Sequence, residues 1–284
     1  MFLFLLLGVA QAAMRMEQSD WVFLESHPIK NIQHLDQNRL NELVHSEWLN
    51  MVSLCPSLDR HASINAYFDD SLAGTSTLAW ASQTMYLKYD GIFYPALSNM
   101  FYSGYDFTIG VNPEPPNGWF DGDCKDISYR YDLRSVIRHE ILHGIGLGSS
   151  ISYDNEWDVG HIQNGLCFPR LYDTLITDID GNKIVDGCEI VDITSKRLFL
   201  GDVELYHPDE YNGGSSLAHH NYPGKLFYYR TTPMQCMYMS RYEISMLSSL
   251  GLHCFEDGRS QGTKIPSSNL VFLLILFVGT CLLH

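Results

Sequence analysis

The segment DLRSVIRHEILHGIGL, residues 132–147, decides the fold of this chain. Its apolar residues recur at helical spacing, and Asp132 is a residue type that caps helix N-termini. Glycines at positions 144, 146 and 148 predict that the helix ends in a turn there. We therefore predict a buried helix over about residues 132–145.

Two histidines of this helix are spaced to share one metal ion. His139 and His143 are four residues apart, so they lie on the same face, one turn apart. Two imidazoles so placed can bind one Zn²⁺ at about 2.0–2.1 Å. Glu140 follows the first histidine and can move a proton from the attacking water to the leaving amine. The pattern predicts a zinc-dependent peptide hydrolase in which Glu140 is catalytic. A chance match on a surface helix is the competing interpretation, and the apolar flanks argue against it.

The third metal ligand cannot be read from the same motif. A catalytic zinc commonly has three protein ligands and one open position. The compact pattern H-E-x-x-H-x-x-G-x-x-H would place the third histidine at position 149, where this chain has Ser149. The candidates lie further along the chain: His161, His207, His219, His220 and Glu189.

At this point the chain resembles the leishmanolysin-type metzincins and related bacterial secreted metalloproteases. The zinc helix is the specific part of the resemblance. Residues 214–219 (GSSLAH) are similar to the third-ligand segment of that family, residues 236–238 (CMY) to its Met-turn, and residues 244–252 to its closing helix. Upstream segments at 94–97, 106–112, 119–120 and 131–133 continue the similarity, which covers about residues 36–252.

The resemblance implies an α+β fold. It would be a metzincin-like zincin with an N-terminal mixed sheet, an active-site helix and a smaller irregular C-terminal lobe, the lobes dividing near residue 148. It implies His219 as the third zinc ligand, with His220 as the alternative. It also implies that Met237 packs beneath the metal without binding it, a role that Met234 or Met239 could fill instead.

Both ends of the chain have the pattern of targeting segments. Residues 2–9 are apolar and precede Ala10-Gln11-Ala12, which predicts a signal peptide over residues 1–12. Residues 270–283 are almost wholly apolar and follow a polar spacer and small residues, which predicts a GPI-attachment signal over 261–284, with Ser260 or Gly258 as attachment residue. A tail-anchored or simply secreted protein is the alternative. We expect a metalloprotease domain over 13–260, on the outer face of the cell membrane or secreted.

Cysteine content agrees with export. Of seven cysteines, Cys281 lies in the tail, and the six others could form three disulfides in an oxidising compartment. Six cysteines allow 15 pairings. We expect Cys167 to pair with Cys188, closing a hairpin, and Cys236 to pair with Cys254.

Other elements are expected from periodicity and turn residues. These are a helix over 36–51 capped by Asp36; strands over 64–68, 77–89 and 106–111; an irregular stretch over 148–169; a hairpin whose strands 171–176 and 183–185 flank Asp180-Gly181-Asn182; and a helix over 241–250.

The net charge of the chain argues against one class of binding partner. The chain has 18 Lys+Arg against 33 Asp+Glu, a formal net charge of -15, so nucleic acid is a poor partner. We expect a monomer that acts on a protein or peptide substrate lying along an edge strand at 106–111 and that meets the membrane through a lipid anchor. The second hypothesis is a catalytically inactive surface-binding or adhesive protein on a metalloprotease scaffold.

Overall fold

The computed structural model describes residues 35–58, 62–84, 86–89, 92–95, 105–153, 160–162, 169–187, 189–191, 193 and 196–256. The expected signal peptide and anchor segment lie outside these residues, and so do Cys167 and Cys188. Within the described part, none of the helices has both the length and the apolar character needed to cross a membrane.

The described residues form a mixed α+β fold of short elements. The helices are α1 (Gln37–Leu54), α2 (Leu133–Gly144), α3 (Leu171–Thr174) and α4 (Arg241–Ser249). The strands are β1 (Ile64–Phe68), β2 (Ala79–Gln83), β3 (Tyr86–Tyr89), β4 (Ile92–Pro95), β5 (Phe107–Val111), β6 (Trp119–Phe120), β7 (Tyr131–Asp132), β8 (Ile151–Tyr153), β9 (Gly160–Ile162), β10 (Ile176–Asp178), β11 (Val185–Asp186), β12 (Glu189–Ile190), β13 (Leu198–Leu200) and β14 (Val203–Glu204). Single 3₁₀ turns cover Asp70–Leu72 and Cys124–Asp126.

A three-stranded mixed sheet packs against α2 in the order β1-β5-β2. β5 is parallel to β1 and antiparallel to β2. The expectation that a substrate lies along residues 106–111 is therefore wrong, because β5 has a paired strand on both sides. The apolar pattern of a strand does not show whether the strand has a hydrogen-bonded neighbour on one side or on both.

Within the described residues, β2 is an edge of this sheet. The amide of Asn112 donates to the carbonyl of Leu78 at 2.8 Å, and the amide of Thr84 donates to that of Asp106 at 3.1 Å. Because backbone groups alternate in direction along a strand, the amides and carbonyls of Ala79, Ala81 and Gln83 point away from β5. The predicted single strand over 77–89 is divided into β2 and β3, and β3 pairs with β4 instead.

A buried ion pair joins α1 to α2. Arg138 Nε donates to Glu47 Oε2 and Arg134 Nη1 donates to Glu47 Oε1, both at 2.7 Å. Arg138 Nη1 also donates to the carbonyl of Met237 at 2.8 Å. Burial raises the pKa of Glu47, but the charge of Arg138 and the hydrogen bonds to the carboxylate outweigh it, so the net pKa lies below its ordinary value. α1, α2 and the Met237 segment are thus held by one charge network.

Replacing Glu47 by Ala should lower the free energy of unfolding by about 3–5 kcal/mol, because it leaves the Arg138 guanidinium buried without its carboxylate. Glu42→Ala is the matched control on the same helix: its pair with Arg39 is exposed, and its loss should cost no more than about 1 kcal/mol. Urea denaturation at neutral pH measures both variants. Equal losses for the two would contradict the role of this network. The Glu47 contribution is present above its unfolded-state pKa and is lost as the pH falls through the lowered folded-state pKa.

Two disulfides correct the predicted pairing. Cys254 pairs with Cys55, and Cys236 pairs with Cys124, so the predicted bond between Cys236 and Cys254 is wrong. The physical reason is that the chain after α4 returns to the end of α1, where the amide of Phe255 donates to the carbonyl of Leu54 at 2.8 Å. Cys236, which directly precedes Met237, is instead bonded to Cys124 in the 3₁₀ turn before α2.

Predicted elements in the second half are confirmed in part. α4 matches the helix predicted over 241–250, and Gly251, with φ of 85°, follows it. The stretch predicted to be irregular contains the antiparallel pair of β8 and β9. The strand predicted over 171–176 is wrong, because residues 171–174 form α3 and only the next residues enter β10. The expected turn at 180–182 is present, with the amide of Asp178 donating to the carbonyl of Asn182.

Candidate metal centre

Helix α2 is placed by its cap and by glycines after the histidines. Asp132 caps it by accepting from the amide of Ser135 at 3.0 Å. Gly144 lies against β5 so closely that a Cβ there would be 2.4 Å from the ring of Phe107. Gly146, with φ of 126°, turns the chain away after the helix in a conformation that L side chains rarely adopt. Small residues therefore let the histidine-bearing end of α2 approach the sheet.

Three imidazoles converge at this end of the helix. His139 Nε2 lies 3.1 Å from His219 Nε2, and His143 Nε2 lies 3.2 Å from the same atom. His219 is buried, and the other two are half-buried. Among the described residues these three form the cluster of histidine, cysteine or carboxylate side chains able to hold a metal ion.

The outer ring nitrogens fix the tautomer of each histidine. Each Nδ1 lies beside a backbone carbonyl: His139 beside Leu226 at 2.8 Å, His143 beside Leu147 at 2.7 Å and His219 beside Ser215 at 3.0 Å. A carbonyl oxygen only accepts, so each Nδ1 is the donor and carries the proton. The Nε2 atoms of His139 and His143 then each present a lone pair to that of His219 at about van der Waals contact. Such an arrangement repels itself unless a cation lies between the lone pairs.

The spacing fits a tetrahedral metal ion. Two imidazole nitrogens bound to Zn²⁺ at about 2.05 Å with a tetrahedral angle lie about 3.3 Å apart. The distances of 3.1 and 3.2 Å from His219 to its neighbours are close to that value. The carbonyl partners of the Nδ1 atoms also match the outer contacts that orient metal-bound histidines. The residues present therefore fit a zinc ion with three nitrogen ligands.

The cluster is held in its neutral form. Burial lowers the pKa of His139 to about 4 and that of His143 to about 3. Burial, together with the two neighbouring imidazoles, places the pKa of His219 well below its ordinary value. Neutral imidazoles are the form that binds metal, so the lone pairs are available at physiological pH.

Glu140, which follows His139 in α2, has a buried carboxyl group. Burial raises its pKa to about 8. Its Oε2 is buried and has no hydrogen-bond partner within the described part of the chain. A buried polar atom without a partner is costly, so its retention indicates a partner beyond the described residues, such as a ligand, ion or water.

His219 reaches the centre from a turn in the second half of the chain. The amide of Tyr206 donates to the carbonyl of His219 at 2.7 Å, and the amide of Leu217 donates to the carbonyl of Tyr206 at 2.9 Å. Leu217 has a left-handed φ of 63°, and its carbonyl accepts from the hydroxyl of Tyr172 at 2.8 Å. These contacts turn the chain so that the imidazole of His219 points at α2.

Ser149 has a structural contact at the position where the compact motif would have its third histidine. Its hydroxyl donates to Asp173 Oδ1 at 2.7 Å, and the amide of Ser150 donates to the same oxygen at 3.1 Å. Asp173 is buried and also accepts from the amide of Arg170. This contact holds the chain just after Leu147, whose carbonyl orients His143.

Phe227 is a site residue that the sequence analysis did not find. Its ring centroid lies 4.9 Å from that of His139, 4.7 Å from that of His143 and 5.1 Å from that of His219. It is fully buried and follows Leu226, whose carbonyl binds His139. No motif marks it in the sequence.

The other predicted site residues lie outside the cluster of three. His220 points to α4, where its Nε2 donates to Glu243 at 2.9 Å. Met237 is buried, its amide donates to Ser135 Oγ at 2.6 Å and its sulfur accepts from Thr231 Oγ1 at 3.9 Å. His207 Nδ1 donates to the carbonyl of Lys196, and Glu189 is exposed in β12. The side chain of His161 lies outside the described residues.

Comparison of the chain with protein-family models, with curated proteins and with solved structures finds no match. The geometry of the site therefore carries the functional argument.

Proposed function

We propose that this protein is a metzincin-like, zinc-dependent endopeptidase that hydrolyses peptide bonds with Glu140 as general base. One observation carries the proposal: three neutral imidazoles bring their lone pairs together, and Glu140, the residue after one of them, has a buried carboxyl oxygen without a hydrogen-bond partner among the described residues. A bound Zn²⁺ would supply Lewis acidity and lower the pKa of a water molecule.

The chain's own residues have distinct tasks in this proposal. His139, His143 and His219 would hold the ion, and their carbonyl partners keep each ring in the binding tautomer. Glu140 Oε2 would accept a proton from the attacking water and deliver it to the leaving amine. Burial favours the protonated form of this carboxyl group, and a neighbouring cation favours the ionised form, so the metal would bring its pKa toward the range useful for proton transfer.

The backbone edge of β2 supports the proposal that the substrate is a peptide. Its outward amides and carbonyls at Ala79, Ala81 and Gln83 can pair with an extended chain, and Gln83 itself contacts the end of α2 by donating to the carbonyl of Gly144 at 3.2 Å. An added strand would therefore pass the helix that bears His139 and His143. This edge replaces the one predicted at 106–111.

The alternative of an inactive binding protein is less well supported. A binding scaffold could keep the fold and even the ion, but it gains nothing from a buried oxygen of Glu140 that has no hydrogen-bond partner among the described residues. Such an atom costs about 1–3 kcal/mol when it lacks a hydrogen bond. Retention of that cost is expected where the group takes part in chemistry.

A peptide-library digest tests the proposal. The purified mature protein should contain one zinc per chain and cleave internal peptide bonds; a zinc chelator should stop cleavage, and added Zn²⁺ should restore it. Cleavage that is indifferent to the chelator, or a protein that neither holds zinc nor cleaves any peptide, would refute it.

A second arm of the digest addresses the β2 edge. N-methylation removes one backbone donor from a substrate without changing its side chains. If the substrate adds as a strand, methylation of alternate residues should slow cleavage and methylation of the intervening residues should not. A uniform response along the peptide would argue against strand addition.

A further inference from the structure

Glu243 of α4 is a buried carboxylate outside the metal centre. Its side chain has no exposed surface, and its two oxygens accept four hydrogen bonds. Oε1 accepts from His220 Nε2 at 2.9 Å and from the amide of Phe227 at 3.0 Å. Oε2 accepts from the amide of Ser240 at 2.7 Å and from its hydroxyl at 2.6 Å. The two oxygens thus contact different parts of the molecule.

The Oε2 side is an ordinary helix cap. Ser240 is the N-cap residue of α4, and Glu243 is the third residue of the helix, so their reciprocal contacts form a capping box. A purely local role for Glu243 would need only this oxygen.

The Oε1 side reaches the two segments that build the metal centre. His220 directly follows the ligand His219, and Phe227 directly follows Leu226, whose carbonyl orients His139. The amide of His220 also donates to the carbonyl of Phe227 at 3.3 Å, so the two segments run side by side. One oxygen atom therefore sets the spacing between the segment that delivers His219 and the segment that holds His139.

The hydrogen-bonding neighbours of His220 show which of its nitrogens donates to Oε1. The amide of Tyr222 donates to His220 Nδ1 at 3.3 Å, which leaves Nε2 as the protonated nitrogen that faces Glu243. Burial raises the pKa of Glu243, but the hydrogen bonds from His220 and from Ser240 outweigh it and lower the net pKa. The group is an acceptor with every site occupied, and an apolar residue cannot replace it without leaving buried donors unpaired.

We propose that Glu243 is a positioning residue for the metal centre, one that fixes the His219 and Leu226-Phe227 segments through His220 and the amide of Phe227 without touching the metal. This inference rests on the proposed function, because it assigns the purpose of the spacing to metal binding.

Zinc affinity in four variants separates positioning from helix capping. Glu243→Ala removes both sets of contacts, and Ser240→Ala removes one hydroxyl contact at the cap while keeping those at Oε1. The first should weaken zinc binding by about 10–100-fold, the range for lost contacts around metal ligands, whereas the second should lower the thermal midpoint and leave zinc affinity unchanged. Competition with a chromophoric chelator measures the affinity.

A pair of variants at His220 covers the case in which Glu243→Ala does not fold. His220→Gln keeps a donor at the place of Nε2, and His220→Ala does not. The Gln variant should keep the wild-type zinc affinity and the wild-type visible spectrum of the Co²⁺-substituted protein, and the Ala variant should lose affinity and change that spectrum.

The outcomes distinguish this inference from the proposed function. If the wild-type protein binds zinc and the Glu243 variant matches it, or if His220→Ala and His220→Gln behave alike, Glu243 is only a helix cap and the inference is wrong while the proposed function stands. If the wild-type protein itself binds no zinc, the proposed function fails, and the inference fails with it.

Discussion

Glu140→Gln should reduce kcat for peptide cleavage by about 10²–10⁴-fold, the usual contribution of a general base, while the protein keeps one zinc per chain. The amide has nearly the shape of the carboxyl group but cannot accept and return a proton. No hydrogen bond to Glu140 Oε2 from the described residues is lost in the exchange, because that oxygen has none. The fold should therefore be retained, and the loss should fall on the chemical step.

The measurement pairs kcat with metal content and circular dichroism. Glu42→Gln makes the same chemical change at an exposed residue of α1 and should leave all three at their wild-type values. A Glu140→Gln protein that keeps its zinc and cleaves peptides at the wild-type rate would remove Glu140 from the mechanism. A variant that loses zinc together with activity would instead make Glu140 a structural support of the site.

The parts of the site that the sequence predicted are those encoded locally. The pair His139 and His143 depends only on the helical period, and Asp132 and Gly146 bound that helix as local rules expect. His219 came from the resemblance and not from spacing, since it lies 76 residues after His143. Nothing local in the chain shows which distant histidine turns toward α2.

What the sequence could not predict depends on contacts between distant segments. β5 is a central strand only because β1 and β2 both reach it, and residues 106–111 look the same in either case. Cys254 pairs with Cys55 across a sequence separation of 199 residues, so no short-range rule could select Cys55 over Cys236 as its partner. Phe227 carries no motif, and the capping-box spacing of Ser240 and Glu243 does not show the second contact of Glu243; both roles follow from packing against the histidines and against His220.

His219→Ala should abolish tight zinc binding. The variant retains two protein ligands, and we expect the loss in affinity to exceed the roughly 10–100-fold that follows from changing a residue around the ligands. The geometry of the cluster explains the size of the effect. His219 Nε2 lies 3.1 Å from His139 Nε2 and 3.2 Å from His143 Nε2, so His219 completes the cluster.

Zinc-dependent thermal unfolding measures this prediction in one experiment. Free zinc at 1,000 times the Kd stabilises the wild-type protein by about 4 kcal/mol, and the variant should show almost no shift at that concentration. His207→Ala is the matched control, because His207 donates to the carbonyl of Lys196 away from the cluster and its loss should leave the zinc shift intact.

In metal-free protein the His219 variant loses one of three lone pairs that face each other, which offsets part of the cost of the cavity. A large shift on adding zinc to His219→Ala would mean that another side chain completes the coordination, and the third ligand would have to be sought among the remaining histidines.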